Sequence, residues 1–460
     1  MRNNDKLLLV GTIITYILLI FIPSQLLYPF PFIFFFVIAS AYFHNIPKAL
    51  FLTIIFLIPF SWRKENLTGG LISLFIKGIF PGLVILLSLL SIWKQINKNN
   101  LKIQPLITIL LFFIWGIFSF IYVSSHFQES LSGILRLGTT IIFYILIPIF
   151  FNEKRIIKST FFILITIIVF ESLLTLLQFL IGHPLSIVME EGIFRYPFGK
   201  LESESNILFR PFGTMPEPTL LARFLTMLLP IFLINIKMIF HLPKWIRMTG
   251  IILTVIAIFV SFTRFSWAVT LFILLAIYIW KRPTIKFNRL SQYLYFLNLV
   301  VLLILSIYFF PYFKQRWMTT PISFEERGSF TIRVNLVKEA INLISQSPLF
   351  GVGLNRFKPF AQEYNITGYF KNWIAPVHNI PLLIASEMGI PSLIFFTLFI
   401  YYSYKNYFIK RKKEKNINQR NILDAAALGG FIFILEGMMG SNFLSPHLTL
   451  FFLYMAILST

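Results

Sequence analysis

The chain is a succession of long apolar segments, each separated from the next by a shorter polar stretch. A helix that crosses a bilayer needs about 17–25 predominantly apolar residues, and continuous apolar runs are typical of such helices, whereas barrel strands alternate apolar and polar positions. Some segments are short for this purpose, notably 46–60 and the hairpin 248–280, so the pattern predicts about 12–14 transmembrane helices. The predicted spans are 7–22, 29–43, 46–60, 71–93, 104–123, 131–151, 159–181, 218–236, 248–263, 265–280, 290–310, 379–401, 422–440 and 446–459.

The amino-acid composition is that of a membrane protein. Apolar residues make up 57% of the chain and charged residues 13%, whereas a soluble domain has about 45–50% and about 25%. Because lipid offers the backbone no hydrogen-bond partner, the spans must be helices. The sequence therefore predicts an all-α polytopic membrane protein, a helical bundle in which residues 1–460 form one transmembrane domain. The chain has no cysteine, which excludes disulfides and thiolate chemistry.

The basic residues predict on which side of the membrane each loop lies. The chain has 40 Lys and Arg residues and a formal net charge of +22, and in membrane proteins such residues concentrate in cytoplasmic loops rather than binding nucleic acid. With a cytoplasmic N-terminus, every inner loop is basic, above all between Lys405 and Arg420, whereas short outer loops such as 23–28 have no basic residue. We therefore expect a multi-pass protein of the cytoplasmic membrane whose segments 182–217 and 312–378 lie outside the cytoplasm.

The longest polar interval, residues 312–378, is predicted to form an extracytoplasmic loop subdomain. Loops of this length are usually functional or disordered, and aromatic residues throughout this one favour order. Apolar residues recur at a spacing of four over residues 330–345, which predicts an amphipathic helix. That helix should end at Pro348, and Gly351 and Gly353 then permit a turn with positive φ or a close backbone approach.

Two residues are the main candidates for chemistry. His378 precedes Asn379 where the long loop meets a span, a suitable place for a general base that works near neutral pH; the alternative is an interfacial histidine beside a helix cap. Arg264 interrupts two apolar runs at the outer end of a tight helical hairpin. A charge near hydrocarbon indicates a function, and a guanidinium can bind phosphate oxygens through two parallel hydrogen bonds; the alternative is an arginine that reaches the outer headgroups.

Other charged residues are weaker candidates. Arg333 lies on the predicted amphipathic helix and Arg210 in the segment before the span at 218–236, and either one alone is typical of a surface charge. Basic residues inside or near spans should pair with acids. Candidate partners among the acids are Glu171, Glu387 and Glu436.

Several common chemistries lack their sequence signatures. The chain has no P-loop, no Gly-x-Ser-x-Gly nucleophile elbow and no His, Asp and Glu cluster with metal-ligand spacing. The adjacent Glu325 and Glu326 are typical of a solvated loop. The two halves of the chain also lack the matched broken helices of secondary transporters. The sequence therefore predicts no metal, no cofactor and no ATP-driven transport.

Short motifs occur in a fixed order along the chain: Gly213-Thr214, Ser261-x-Thr263-Arg264, Arg333, Pro348-Leu349-Phe350-Gly351-Val352-Gly353, His378-Asn379 and Glu387-x-Gly389. This set of motifs resembles the O-antigen ligase and O-antigen polymerase superfamily. The resemblance covers residues 205–400, and its most specific part is the spacing of the last three motifs. One departure is Glu217, which follows Pro216 where the family often has Asn.

This resemblance implies a metal-independent, inverting glycosyltransferase. Such an enzyme moves a glycan from undecaprenyl pyrophosphate to an acceptor sugar hydroxyl at the outer face of the cytoplasmic membrane. By the same resemblance, His378 would take the proton of the acceptor hydroxyl, and Arg264 and Arg333 would hold the pyrophosphate as it leaves. Substrate-binding roles are implied for Arg210, Asn379, Glu387, Gly351 and Gly353.

The motifs leave the exact reaction open. A polymerase joins glycan to glycan, whereas a ligase joins glycan to a terminal acceptor, and both classes carry the same motifs. The expected partners are the lipid-linked glycan donor, a glycan or lipid-glycan acceptor and membrane lipid. A transporter or flippase of the same donor would need charges along a path through many spans, whereas the charges here gather in outer segments. A non-catalytic component of an envelope polysaccharide assembly complex is the third alternative.

Overall fold

The structure, a computed structural model, divides the chain into two compact units. The first unit comprises Met1–Lys77 and Lys158–Thr319, and the second comprises Gly78–Ile157 and Thr320–Thr460. The described residues are 3–21, 29–60, 82–90, 102–123, 126–185, 200–202, 207–215, 217–234, 244–281, 329–364, 376–440 and 443–460, with the isolated positions 300, 304, 307 and 310.

The described part of the chain is almost entirely helical. Two three-residue strands, β1 (Lys200–Glu202) and β2 (Ile207–Phe209), pair antiparallel with Lys200 opposite Phe209. A 3-10 turn at Ile58–Phe60 follows the third helix. The helices are α1 (Asn3–Phe21), α2 (Pro29–Phe43), α3 (Ile46–Leu57), α4 (Ile103–Tyr122), α5 (Phe127–Phe150), α6 (Lys154–Ile181), α7 (Pro218–Leu233), α8 (Lys244–Val260), α9 (Arg264–Lys281), α10 (Ser329–Gln346), α11 (Phe357–Tyr364), α12 (Ile380–Lys413), α13 (Ile417–Gly437) and α14 (Pro446–Ser459).

The prediction of an all-α polytopic membrane protein is confirmed. Four of the described helices, α4, α5, α6 and α12, are long and apolar enough to cross a membrane, and seven shorter helical stretches are apolar as well. Each predicted span that falls on described residues coincides with a helix, whereas the predicted spans 71–93 and 290–310 lie largely outside those residues. The amphipathic helix predicted over 330–345 is α10.

The pair of strands was not predicted from the sequence. It lies within segment 182–217, which hydropathy identified only as a polar outer segment, and strands of three residues are too short to show a period of two. Much of the predicted loop 312–378 lies outside the described residues. The single domain over 1–460, the loop subdomain and the resembling core over 205–400 stay predictions.

Capping residues and prolines determine where several helices begin. The side chain of Asn45 accepts a hydrogen bond from Lys48 N at 3.1 Å, and the side chain of Asn379 accepts one from Leu382 N at 2.9 Å. Helices α3, α7, α12 and α14 each have a proline in the first turn, where the missing N–H costs nothing. Because such a cap is worth about 1 kcal/mol, local sequence fixes the start of α12 immediately after His378.

In the second unit, α4 and α12 approach each other closely. A Cβ atom at Gly116 would lie 2.6 Å from Cε of Met388, and small residues permit such close helix packing in membranes. At the other end of α4, Lys102 N donates to Ser459 O of α14 at 3.0 Å. The C-terminal end of α4 therefore lies beside the N-terminal part of α12.

Candidate functional site

Helix α12 is broken at Gly389, and a neighbouring loop fills the break. Gly389 has φ 83° and ψ 166°, so the helical hydrogen-bond ladder stops there, and the N-terminal residues 380–388 form a separate helical piece, called here the leading segment of α12. The Gly-x-Gly loop, residues 348–353, supplies replacement partners. The hydrogen bonds run from Val352 N to Ser386 O (3.0 Å), from Gly353 N to Glu387 O (2.7 Å) and from Ile390 N to Pro348 O (2.8 Å).

The glycines of the two motifs are required because the backbone of the Gly-x-Gly loop directly contacts the backbone of α12 at this break. Gly351 has φ 63°, and a Cβ there would lie 2.5 Å from the carbonyl carbon of Glu387. A Cβ at Gly389 would overlap the carbonyl oxygen of Leu349. Positive φ is open to glycine at little cost and strains other residues. The Gly-x-Gly and Glu-x-Gly motifs are thus two halves of one packing arrangement.

The carboxylate of Glu387 ties the leading segment of α12 to the start of α11. Its two oxygens accept hydrogen bonds from Asn355 N at 2.9 Å and Phe357 N at 3.1 Å. A carboxylate satisfies the free N–H groups at a helix N-terminus and is stabilised by the helix dipole. Glu387 was one of three candidate partners for basic residues of the spans; its described hydrogen-bond partners are backbone N–H groups.

Side chains at the C-terminal end of α4 hold the other side of the Gly-x-Gly loop. Trp115 Nε1 donates to Leu349 O at 2.9 Å, and Ser119 Oγ donates to Phe350 O and, at 3.0 Å, to Glu387 O. The ring of Phe350 stacks between Trp115 and Tyr122, with centroid distances of 5.5 Å and 4.6 Å. The loop is therefore fixed by α4 as well as by α12.

The turn after α13 brings Arg333 and the His378-Asn379 pair into one neighbourhood. Asn379 Nδ2 donates to Met438 O at 3.3 Å, and Arg333 Nη1 lies 4.0 Å from Sδ of Met439. Arg333 and the two methionines are exposed and His378 is half-buried, so the neighbourhood is accessible. Asn379, which follows His378 in the chain, and the guanidinium of Arg333 thus contact the same two-residue turn.

In the first unit, Arg210 lies at the end of α8 and shapes the turn that leads to Arg264. Arg210 is 4% exposed; its guanidinium donates to Ser261 O at 3.1 Å and Phe262 O at 3.4 Å. Phe262 has φ 54°, the left-handed conformation that commonly ends a helix. The positive charge is favourable at the negative end of the α8 dipole, and it fixes a turn of only a few residues.

Arg264 is the first residue of α9 and is half-buried. Thr263 O accepts the first helical hydrogen bond, from Trp267 N at 3.1 Å, so Arg264 lies in the first turn. A cation at this end of a helix is disfavoured by the dipole by about 0.3–1 kcal/mol. An anion bound there would meet both the guanidinium and the free N–H groups of the turn. The position therefore favours a bound anion.

The Gly213-Thr214 motif is held by two side chains of α6 that the motifs did not indicate as site residues. The carboxylate of Glu171 accepts hydrogen bonds from Thr214 N at 3.0 Å, from Thr214 Oγ1 and from the Tyr16 hydroxyl. Gln178 accepts from Gly213 N at 2.8 Å and donates to Gly213 O at 2.9 Å. Glu171 was another candidate partner for basic residues of the spans; its described hydrogen-bond partners are this turn and Tyr16.

The predicted site residues are thus divided between the two units. Arg210 and Arg264 belong to the first unit, and Arg333, Asn379, Glu387 and the glycines of the Gly-x-Gly loop belong to the second with His378. Among the described residues, no group of three or more His, Asp or Glu side chains could hold a metal ion. The structure also reveals a buried arginine in this region, Arg356, which the sequence patterns did not single out.

The motif-bearing segment is matched by a known protein family. A family model described as O-antigen ligase matches residues 249–397, a segment that contains Arg264, Arg333, the Gly-x-Gly loop and His378. No curated protein matches the chain. The match falls on the motifs that hold the break of α12 together and on both candidate catalytic segments, so over residues 249–397 the chain is similar to the O-antigen ligase family.

Proposed function

We propose that this protein is a glycosyltransferase that moves a glycan from an undecaprenyl-pyrophosphate donor to an acceptor sugar hydroxyl. The family match supports a membrane glycan ligase or polymerase. The observation that carries the proposal is the shared turn in the second unit, where Asn379 contacts Met438 and Arg333 contacts Met439. Hydroxyl attack on an anionic donor requires a base and a cation near each other, and the proposed base, His378, directly precedes Asn379 in the chain.

In the proposed reaction, His378 accepts the proton of the acceptor hydroxyl. The oxygen attacks the anomeric carbon of the donor sugar, a new C–O bond forms there, and the bond from that carbon to the pyrophosphate oxygen breaks. The undecaprenyl pyrophosphate leaves with the bonding electron pair, and the anomeric configuration inverts because there is a single displacement. General-base assistance of this kind gives about 10²–10⁴-fold in rate.

Arg264 and Arg333 are proposed to stabilise the leaving pyrophosphate. Arg264 combines a guanidinium with the positive end of α9, so it is suited to phosphate oxygens. Arg333 is exposed on α10, at the turn that Asn379 also contacts. Preorganised cations aimed at developing negative charge are commonly the largest single contribution to catalysis. In the proposed step, each role is assigned to a residue of this chain, and the proposal includes neither a nucleotide nor a metal.

The residues predicted to bind substrate are proposed to act by positioning. The described polar contacts of Glu387, Gly351 and Gly353 lie within the protein, and they orient the leading segment of α12. Asn379 caps that segment. Arg210 supports the turn before Arg264. Loss of any of them should therefore lower the rate through the placement of His378 or Arg264.

The charge distribution of α12 supports an extracytoplasmic site. Beyond the break at Gly389, the piece of this helix over residues 390–413 has a length of about 36 Å at 1.5 Å per residue, which exceeds the roughly 30 Å of the hydrocarbon core. Its last turn contains four basic residues, Lys410, Arg411, Lys412 and Lys413, and such clusters stay in the cytoplasm. His378 precedes the opposite end of α12, so we place it at the outer face of the cytoplasmic membrane.

The His378→Ala variant tests this proposal. Purified wild type and variant, reconstituted in lipid nanodiscs, receive a synthetic undecaprenyl-pyrophosphate glycan and an acceptor glycan, and the product is measured. We expect the variant to lose about 10²–10⁴-fold in rate with unchanged thermal unfolding. His183→Ala, the same change at an exposed histidine, is the matched control and should keep the wild-type rate. Full activity in His378→Ala would refute the assignment.

Deletion of the gene separates the two reactions that the family motifs share. In a gel of surface polysaccharide, loss of the ladder with single repeat units remaining indicates a polymerase. A lipid-linked ladder that accumulates without attachment indicates a ligase. An unchanged ladder would contradict both.

A further inference from the structure

Arg356 is a fully buried arginine three residues after the Gly-x-Gly loop. Its exposed fraction is 0%. Nη1 donates to Val123 O at 2.6 Å and Nε to His126 O at 3.0 Å, and the guanidinium carbon lies 5.9 Å from the ring centroid of Phe120. The side chain thus binds the carbonyl groups where α4 ends and α5 begins.

Two further contacts near this arginine join the start of α5 to the segment that contains Asn355 and α11. His126 Nε2 and a carboxylate oxygen of Glu363, on α11, are 2.8 Å apart, and Asn355 Nδ2 donates to Glu129 O of α5 at 3.2 Å. His126 and Asn355 have φ values of 52° and 64°. Left-handed conformations cost non-glycine residues about 1–3 kcal/mol and tend to cluster at functional sites. Two of them at one junction indicate a geometry that the surroundings impose.

The Gly-x-Gly loop packs directly on the Arg356 side chain. Gly353 has φ 98°, and a Cβ there would lie 2.6 Å from Cδ of Arg356. The flanking residues, Asn355 and Phe357, donate their N–H groups to the Glu387 carboxylate. Arg356 therefore sits between the end of α4 on one side and the partners of the leading segment of α12 on the other.

Burial and charge suggest what this arginine does. Burial lowers the pKa of Arg356, and the nearby negative charge of Glu129 raises it again; a guanidinium nevertheless stays protonated in proteins. Since the side chain is enclosed by carbonyl groups and an aromatic ring, it is poorly placed to meet a substrate. A forked, permanently charged donor is well suited to hold two carbonyl groups in a fixed arrangement.

We propose that Arg356 is a positioning residue for His378. The inference rests on the proposed function, and it extends the site to a residue outside the recognised motifs. Arg356 fixes residues 351–357, which run from the end of the Gly-x-Gly loop to the start of α11, against the end of α4. This segment in turn holds Ser386 and Glu387 through backbone and carboxylate hydrogen bonds. Because the break at Gly389 uncouples the leading segment from the rest of α12, these contacts set its direction and so the place of His378.

The Arg356→Gln and Arg356→Lys variants test this inference. Gln has the polar head but neither the charge nor the fork, whereas Lys keeps the charge and can reach one carbonyl group. A misplacement of about 1 Å can cost about 10²-fold in rate. We therefore expect kcat of Arg356→Gln to fall by about 10–100-fold, with Arg356→Lys intermediate. The KM for the lipid-linked donor should stay unchanged, because the groups that bind the donor are intact.

The kcat and KM values of the wild type and the variants are measured in nanodiscs and normalised to the amount of folded protein. Arg420→Gln is the matched control. Arg420 is an exposed arginine of the same unit, on α13, and its substitution should leave kcat and KM unchanged. The pH at which the rate falls on acidification should be the same in wild type and in Arg356→Gln, because His378 is still the base. A rise in donor KM with kcat unchanged, or a wild-type kcat in Arg356→Gln, would overturn the inference.

Two further variants keep the test decisive. If Arg356→Gln does not fold, Gly353→Ala is used in its place, since its Cβ displaces the Arg356 side chain while the guanidinium is retained; a wild-type kcat there overturns the inference. His378→Ala is measured in parallel. An active His378→Ala variant defeats the proposed function itself, whereas an inactive His378→Ala beside a fully active Arg356→Gln defeats only the role of Arg356.

Discussion

Replacing Gly389 by Ala should dismantle the arrangement that holds the leading segment of α12. Two costs arise. The backbone at φ 83° and ψ 166° lies in a region used almost only by glycine, which costs another residue about 1–3 kcal/mol. The new methyl group would also overlap Leu349 O, so the Gly-x-Gly loop must move away.

The size of the effect follows from the hydrogen bonds that the displaced loop gives up. Three backbone hydrogen bonds join it to the two sides of the break, and each contributes about 0.5–1.5 kcal/mol net. The smallest strain, about 1 kcal/mol, and the smallest contribution of the three hydrogen bonds, about 1.5 kcal/mol, add up to a destabilisation of the packed loop by at least about 2.5 kcal/mol. Since every 1.4 kcal/mol is tenfold, the population with the loop in place, and with it the transfer rate, should fall by at least about 60-fold.

Gly182→Ala is the matched control for this prediction. Gly182 has φ 80°, close to that of Gly389, but a Cβ there has no atom within 4 Å. The control therefore carries the strain of positive φ, about 1–2 kcal/mol, without the overlap. Transfer of a labelled glycan in nanodiscs, normalised to folded protein, is measured for both variants. If Gly389→Ala were as active as Gly182→Ala, the reasoning about the break of α12 would be refuted.

The remaining predictions concern single contacts. Arg264→Lys should raise the donor KM by about 10–100-fold, since a charged hydrogen bond worth about 1.5–3 kcal/mol is lost; an unchanged KM would contradict a pyrophosphate contact. Glu171→Gln should lower the unfolding free energy by about 1–3 kcal/mol, measured by denaturation, because it weakens the hold on Thr214. Trp115→Phe keeps the stack but loses the bond to Leu349 O and should cost about 1 kcal/mol in the same assay. The transfer rate should fall on acidification, because protonated His378 cannot accept a proton, and should be unaffected by chelators; a rate that needs added metal would contradict the proposed chemistry.

Hydropathy predicted most of the fold because each span has to satisfy its own backbone. The helix bounds followed from local signals, as at Asn379, whose side chain caps α12. The break at Gly389 was not foreseen, since Ser386-Glu387-Met388 continues smoothly into the apolar run after it. Only the packing of the Gly-x-Gly loop shows that α12 consists of two pieces.

The site was predictable where a motif signals backbone geometry and less so where roles depend on tertiary contacts. Gly351 and Gly353 were expected to permit a turn with positive φ, and both have positive φ. Arg210, in contrast, looks like any surface arginine in the sequence, yet it is buried against the end of α8. Arg356 was missed for the same reason, because a charged residue in a polar loop carries no sign of burial in the sequence.

The central claim is that this protein transfers a glycan from undecaprenyl pyrophosphate to an acceptor. The most direct test mixes the purified protein in nanodiscs with the lipid-linked glycan and an acceptor, and the lipid products are then analysed. The account predicts that glycan transfer and release of undecaprenyl pyrophosphate occur in equal amounts, and that both are lost in His378→Ala. The contradictory result is an intact lipid-linked donor that the protein binds, or moves across the bilayer of a proteoliposome, without transferring its glycan.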